Sequence, residues 1–574
     1  MSNKKSLDDY IFDIKNKISN QDYLAALTII ENAIEDYPGQ PSLLINAGNI
    51  YKLHGDIKKA EHYFLKSLSM HESKEAHNNL AAIYLDYEDY EKSSSHAQHA
   101  VNLDSHYIDA HYNYALSLER MQDYDNAINS VKQILKIDNI NSKALVLLFR
   151  IYQDTCNWNE IDEIGMKLNS LIGDGEEHPF LNISRSDDER LNYKVALSWK
   201  EKHVSQKIIL KEQNISIKKS KIKVGYICGE FRNHPTYHLT KNLFKNHNRE
   251  KFEIFIFSFN HELEIKNELE KNVDEFVDLN EINEFDSIKL IHGYDLDILI
   301  DLTILITNNH INILKAKPSK KIISYLGFPG TSGHDCYDYI ISDKTVTPKE
   351  SQKYYSENFL YLPRCYQINN GNHNLDKCNK NKEDYGLPNN GFILSSFNQS
   401  FKIDKKMFNC WLEILQELPE SIIWLLEDNK TAQLNLLKYA KKRNIDSDRI
   451  IFAKRVSRSE HMERLKLADI ALDTRIYNGH TTTTDALQSG VPVVTVTGNH
   501  FASRVSTSLL NTFNLNELAC KNLAEYKEKV KKICLDEKYK ESLVCKLSSG
   551  SAFNDFYDNK KFINELEKIL IQIS

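Results

Sequence analysis

Glycine and proline are scarce in this chain, at 19 and 11 of 574 residues, which excludes long Gly/Ser or Pro-rich spacers between its parts. The nine cysteines (Cys156, Cys228, Cys336, Cys365, Cys378, Cys410, Cys520, Cys534 and Cys545) are odd in number and scattered, with no C-x-x-C pair. They are expected to be reduced, mostly structural thiols, and neither a zinc site nor a disulfide framework is indicated. A basic excess is also missing. With 73 Lys and Arg against 80 Asp and Glu the formal charge is −7, which argues against a large nucleic-acid footprint or a polybasic membrane surface. The longest apolar stretch, Leu296 to Ile306, is broken by Asp301 and is too short to span a bilayer. Met1 to Tyr10 is polar and lacks the apolar core of a secretory signal, so the expected location is cytoplasmic, with no membrane span and no nucleic-acid partner. Four signature loops are absent: G-x-x-x-x-G-K-[ST], G-x-G-x-x-G after a strand, H-E-x-x-H and G-x-S-x-G. ATPase, dehydrogenase, metalloprotease and esterase readings lose ground accordingly.

What is present is an ordinary globular composition, 41% hydrophobic and 27% charged, in a chain long enough for at least two packed units. The first third repeats itself. Leu44-x-x-Ala47-Gly48-x-x-Tyr51, His77-x-x-Leu80-Ala81-x-x-Tyr84 and His111-x-x-Tyr114-Ala115-x-x-Leu118 superpose at offsets of 33 and 34 residues, the period of a tetratricopeptide repeat. Small residues recur at Ala26, Ala60, Ser93 and Ala127, and turn residues at Tyr23, Ile57, Tyr90 and Tyr124. Together with a weaker unit near Tyr10 to Pro38 and a degenerate one from Leu145 through Trp158, four to five helix pairs are expected over residues 1–170. Such pairs stack into an α-solenoid whose groove suits an extended peptide. Asn46, Asn79 and Asn113 share one register, so their amides are expected to form a ladder offering donors and acceptors to a peptide backbone, or merely to cap neighbouring carbonyls.

A charged helical connector over residues 171–220 follows, and then the periodicity changes. Lys223–Cys228, Phe252–Phe259, Leu296–Leu302, Ile322–Phe328, Tyr337–Asp343, Phe392–Asn398, Ile422–Leu426, Arg449–Phe452, Ile470–Asp473 and Val491–Val496 read as continuous apolar strands separated by helical patterns. That is the signature of parallel sheets covered on both faces. The Asn- and Lys-rich stretch Asn369 to Asn390 divides the series into two doubly wound α/β domains, residues 221–375 and 376–574, with a ligand cleft at the strand carboxyl ends.

Several loops at those ends carry chemistry. Asp473 is followed by Tyr477-Asn478-Gly479-His480-Thr481-Thr482-Thr483-Thr484-Asp485, where a strand, a glycine loop and a helix start suit an anion. A capping box of Thr482 with Asp485 is the structural alternative. Lys402, in Ser396-Phe397-Asn398-Gln399-x-x-Lys402, stands where an ammonium meets a leaving diphosphate. Arg458, His461 and Arg464 line one helical face. In the first half, His234 in Phe231-Arg232-Asn233-His234-Pro235 follows a strand and suits a general base or acceptor-site role, or a loop-fixing bond. The Gly-rich turn Gly327 to Gly333 allows close backbone approach to a sugar, or is simply tight. The triplets Asp295-Leu296-Asp297 and Asp446-Ser447-Asp448 read as the start of a strand and a loop, not as a metal site.

The repeats followed by VGYICGEFRNHPTYHL, SYLGFPGTSG, DYIISD, FNQSFKID, RIIFAKRVSRSEHMERLKLADIALDT, YNGHTTTTDAL, SGVPVVT and FASRVSTSLL closely resemble the O-GlcNAc transferase and SPINDLY-like family of protein glycosyltransferases. The resemblance implies a GT-B catalytic region after the repeat solenoid, and metal-independent, inverting transfer of a sugar from a nucleotide sugar to Ser/Thr hydroxyls, with no cofactor. By motif it implies Lys402 and Gln399 at the diphosphate, and Arg458, His461 and Arg464 on the nucleotide-binding helix. It places His480, Thr481, Thr482 and Asp485 in the phosphate and ribose loop, Leu326 and Gly327 at the sugar, and His234 near the acceptor. The Gln399 and Gly479-His480-Thr481-Thr482 wording looks more like UDP-sugar members than the GDP-fucose branch, which favours UDP-GlcNAc. GDP-fucose, UDP-glucose or a catalytically decayed scaffold are the alternatives. Asp301 to Thr307 lacks the Gly-His-Thr or Gly-Tyr-Thr turn of relatives, and Asp297 stands where some carry histidine. Both departures bear on acceptor-side chemistry and sugar choice.

Overall fold

The computed structural model describes residues 5–203, 220–306, 309–370, 380–549 and 551–574. Thr307, Cys378, the later connector and the expected boundary at 375/376 lie outside them. The chain divides into two compact units, one running to Ile151 with Glu163–Leu168, the other comprising Tyr152–Asp162 and everything from Asn169 onward.

The first unit is helical. Its pairs are Leu7–Ser19 with Tyr23–Asp36, Pro41–His54 with Ile57–Leu68, Lys74–Asp86 with Tyr90–Leu103, and Ile108–Arg120 with Tyr124–Ile137, followed by all but the last three residues of the helix Ser142–Asp154. The repeat is physical as well as textual. Asp22, Asp56, Asp89 and Asp123 each accept a backbone N–H at the start of the second helix of a pair, an N-cap that holds the helix start. The residue before each cap, Gln21, Gly55, Glu88 or Gln122, is left-handed, which closes the tight turn between helices. Ala26, Ala60, Ser93 and Ala127 are fully buried where the helices meet, and Ser93 satisfies its hydroxyl by donating to the Ala81 carbonyl at 2.7 Å. The solenoid was expected to continue through Trp158. That side chain belongs to the second unit, packing on Phe408 and Tyr439 with ring centroids 5.7 and 5.2 Å apart, because a large apolar ring is better buried in that core.

The second unit holds two parallel sheets. The first contains β1 Ile222–Cys228, β2 Phe252–Ser258, β3 Glu275–Asp278, β4 Ile298–Asp301, β5 Lys321–Ser324, β6 Tyr339–Ser342 and β7 Asn358–Tyr361, in the order β3-β2-β1-β4-β5-β6-β7. The second contains β8 Ile393–Ser396, β9 Ile422–Leu426, β10 Ile450–Ala453, β11 Ile470–Leu472, β12 Val493–Val496 and β13 Ala519–Cys520, in the order β10-β9-β8-β11-β12-β13. Both are doubly wound sheets whose direction of winding reverses beside the first strand, at β1/β4 and β8/β11, where such folds bind ligands. The strands missing from the sequence reading, β3, β7 and β13, are all edges. An edge strand is half-exposed and lacks the unbroken apolar run of a central one. The C-terminal helix Asn559–Ile573 returns to the first lobe, where buried Glu567 accepts from His247 Nδ1 at 3.0 Å and from the Asn248 N–H at 2.7 Å. Cys156, Cys228, Cys336, Cys365, Cys410, Cys520 and Cys534 are buried free thiols. Among the described residues no helix is long and apolar enough to cross a membrane.

Candidate active site

A cavity of about 850 Å³ opens where the carboxyl ends of the two sheets face each other. After β8 the chain enters a short turn that carries Gln399 and Lys402 to its wall. The partly buried Lys402 donates to the Asn478 carbonyl at 3.0 Å, lies 3.4 Å from Asn398 Oδ1, and stands 4.5 Å over the Tyr477 ring. Burial pushes its pKa down to about 8, although the Asp473 charge pulls the other way. A cation with so few formal counter-charges is prepared for an anionic ligand.

The loop after β11 makes the facing half of that site. Buried Asp473 accepts the Gly479 N–H and the Thr495 hydroxyl, both at 2.6 Å, and so folds the loop back over the strand end. Gly479 keeps this turn uncrowded, since a Cβ there would fall 2.5 and 2.6 Å from the hydroxyls of Thr482 and Thr483. The helix Thr481–Gln488 then begins from His480 with no side-chain cap, leaving first-turn N–H groups for an anion. The alternative capping box is therefore not formed: Thr482 donates to Asn398 Oδ1 at 2.9 Å, and Asp485 receives both arms of Arg458 at 2.8 and 3.2 Å. His480 stacks on Tyr477 at 4.9 Å, and its buried Nε2 has no hydrogen-bond partner. Burial and the nearby Lys402 charge hold it neutral. The helix Val505–Thr512, from the FASRVSTSLL string, buttresses this loop through Ser506, which donates to the Gly479 carbonyl at 2.9 Å.

From the first lobe, His234 reaches the cavity at the start of the helix Pro235–Thr240. Its Nδ1 accepts the Thr236 N–H at 3.3 Å, so the neutral ring carries its proton on Nε2. Burial lowers its pKa, with the Glu230 and Arg232 charges acting in opposite directions. The loop-fixing role is thus realised, and the free face of the ring offers a donor. Leu326 and Gly327 also line the cavity. The rest of the Gly-rich turn does not: Thr331 and Ser332 donate to buried Glu357, and Gly333 lies against the Ala196 backbone.

Eight of the residues singled out by sequence line this cavity: His234, Leu326, Gly327, Gln399, Lys402, His480, Thr481 and Thr482. Arg458, His461, Arg464 and Asp485 do not. Arg464 is 3% exposed, donates to the Lys454 carbonyl and to His461 Nδ1, and lies 4.6 Å from the Phe397 ring centre. His461, neutral with its pKa driven to about 3 by burial and the adjacent arginines, packs edge-on against the same ring. Arg464 and His461 brace Phe397 on the cavity wall, and His461 also lines a smaller pocket that shares Phe397, Asn398 and Thr482 with the cavity. Residues that the sequence reading missed are Asn398, which holds both Lys402 and Thr482, with Gln367 and Arg455 on the wall. Asn398 sits inside the FNQS string beside Gln399 and was open to discovery there. Gln367 follows the unrecognised edge strand β7, which removed its context.

In the repeat unit two of the three expected ladder amides are already partly engaged. Asn79 donates to Asn49 Oδ1 at 2.9 Å and Asn113 to Asn78 Oδ1 at 2.8 Å, so each amide commits one donor to an asparagine of the preceding repeat at a different register. Asn46 is partly exposed. The two D-x-D triplets are structural: Asp297 accepts the Lys223 N–H and pairs with Lys320, while Asp446 and Asp448 flank a short turn before β10. Among the described residues no group of three or more His, Cys, Asp or Glu side chains is arranged to hold a metal.

The family model of glycosyl transferase family 41 matches residues 200–383 and 377–566. The chain belongs to this family. A tetratricopeptide-repeat model matches residues 41–73 and 108–141. This family 41 chain is 33% identical over 356 residues to a probable UDP-N-acetylglucosamine–peptide N-acetylglucosaminyltransferase, SEC, of Arabidopsis thaliana, covering 61% of this chain and 36% of the relative. It is 24% identical over 553 residues to the Caenorhabditis elegans UDP-N-acetylglucosamine–peptide N-acetylglucosaminyltransferase, covering 73% of this chain and 48% of that one. It therefore spans between about a third and a half of these relatives' length. The solved structure of a Thermobaculum terrenum O-GlcNAc transferase mutant superposes with a TM-score of 0.69 at 21% identity, covering 93% of this chain and 97% of that one. The repeat solenoid and paired Rossmann-like lobes are thus the architecture of that enzyme.

Proposed function

We propose that this chain is a protein O-linked N-acetylglucosaminyltransferase that moves the sugar from UDP-GlcNAc to serine or threonine hydroxyls with inversion and without a metal. The observation that carries this reading is the meeting of Lys402 with the uncapped start of the helix Thr481–Gln488 on one wall of the cavity. In the transfer, the acceptor oxygen forms a bond to the anomeric carbon as the bond to the β-phosphate oxygen breaks, and UDP departs with the electron pair. The negative charge that grows on the diphosphate meets the Lys402 ammonium and the N–H groups of Thr481 and Thr482, already placed and partly shielded from water. With this electropositive set no divalent ion is required of the protein. Because His234 presents Nε2–H, it serves as a donor that orients the acceptor or the sugar, and the acceptor proton passes to a phosphate oxygen or to water. The repeat unit guides the polypeptide acceptor, with Asn46, Asn79 and Asn113 contributing the amide groups that remain free, and the reaction takes place in the cytoplasm.

The test is intact-mass analysis of proteins co-expressed with the chain or with its Lys402→Ala variant. An added N-acetylhexosamine that appears only with the parent chain supports the reading. A different increment reassigns the donor, and an equal increment with both chains removes Lys402 from the mechanism.

A further inference from the structure

The loop after β4, where the sequence lacks the expected Gly-His-Thr or Gly-Tyr-Thr turn, has an unusual geometry. Ile304 has φ +56°, a left-handed conformation that a β-branched residue adopts only under strain. On the adjacent strand end Leu326 has φ +73°, in a three-residue turn closed by the Gly327 N–H to the Tyr325 carbonyl at 2.9 Å, the rare and strained form of that turn. The two turns interlock, since a Cβ on Gly327 would collide with the Leu302 carbonyl oxygen and fall 2.9 Å from that of Thr303. What holds the strain is buried Asp301. Its carboxylate accepts the N–H groups of Thr303 and Ile304 at 2.8 and 3.1 Å and the Tyr337 hydroxyl at 2.6 Å. Thr303 in turn accepts the Gly229 N–H at 2.9 Å, joining this loop to the one that carries His234.

The product of this construction is an apolar face. Ile304 is sealed beneath it at 2% exposure, while buried Leu305 and the partly exposed Ile306 and Leu326 line the cavity. The diphosphate grips belong to the other lobe, so this face meets whatever lies beyond the diphosphate on the first-lobe side. A hydroxyl pressed there loses water without gaining a partner, whereas a methyl group gains by burial.

Resting on the UDP-sugar reading above, we propose that Ile306, presented by the strained Asp301-anchored turn beside Leu326, is a specificity-determining residue that selects a donor bearing an acetamido methyl over one bearing a hydroxyl at that position.

Calorimetric titration of the full chain with UDP, UDP-GlcNAc and UDP-glucose tests this without requiring turnover. The parent is expected to prefer UDP-GlcNAc to UDP-glucose. Ile306→Ser is expected to weaken UDP-GlcNAc on the order of 10-fold, the scale of a lost apolar contact, while UDP and UDP-glucose hold their affinities and Ile306→Val retains the parent preference. An unchanged ratio of the two sugars in Ile306→Ser overturns the proposal, as does a loss shared equally with UDP. A transfer assay in which the variant raises only the acceptor KM assigns the face to the acceptor and overturns it too. Failure of the parent to bind UDP removes the proposed function along with this inference, whereas UDP binding with no discrimination between the two sugars removes the inference alone.

Discussion

The two lobes anchor their cleft loops with the same device and obtain opposite surfaces from it. Each fourth strand of the winding, β4 and β11, ends at a buried aspartate, Asp301 or Asp473, whose pKa is raised by desolvation and held back by the hydrogen bonds it accepts. In the second lobe the anchored loop passes through Gly479 into a helix with free N–H groups and lies beside a lysine. In the first it turns through Ile304 and shows aliphatic carbon. A buried carboxylate at a switch point therefore fixes a loop's path, and the residues beyond it decide whether the rim attracts charge or excludes polar groups.

The largest effect is expected where that contrast is removed at the charged rim. Lys402→Ala should lower transfer on the order of 100-fold or more while leaving the thermal midpoint near or above that of the parent, because a poorly solvated charge is lost; sugar-transfer kinetics paired with calorimetry check both. Next in size is a pH effect. Lys402 is protonated below its value of about 8, so kcat/KM should fall toward 10-fold per pH unit above that point, and a profile flat to pH 10 would exclude the ammonium from the rate. The sign for stability is opposite. The folded value lies below the ordinary 10.5, so charging opposes folding, and this group's contribution to stability should rise as pH climbs from about 8 to 10.5.

Smaller effects compare the two glycines. Gly327→Ala drives a methyl into backbone carbonyls, whereas Gly479→Ala meets two threonine hydroxyls that can rotate. Urea unfolding should show a loss of about 2–3 kcal/mol for the first and about 1 kcal/mol for the second, and a reversed order would mean the first-lobe turns are the more compliant. The smallest change is expected for Leu326→Gly. Relief of a left-handed leucine at about 1 kcal/mol offsets part of the lost packing, leaving stability within about 1 kcal/mol of the parent in the same measurement.

Much of this was open to reading in the primary structure. Central strands of both sheets announce themselves because a strand covered on two faces must be apolar throughout, and the repeats because each pair must bury the same small residue. Lys402, His480 and Thr481 were legible because charge and hydroxyls directly after an apolar run leave little else for them to do. The partners of Arg458, His461 and Arg464 were not legible, for a physical reason. Helical spacing shows that they share a face, but not that Asp485, Lys454 and Phe397 occupy that face. The strain at Ile304 left no trace in spacing, since nothing in Thr-Ile-Leu-Ile marks a left-handed isoleucine.

Local pattern alone thus determined the repeat period, the alternation of strand and helix, and the motif strings that place the chain in its family, because each depends on neighbours a few residues away. Tertiary structure alone decided which motif residues reach the cavity and that Asp301, bonded also to Tyr337, holds an aliphatic turn against the cleft. Those outcomes depend on partners dozens to hundreds of residues distant, whose positions are fixed only when the two sheets are wound and faced together.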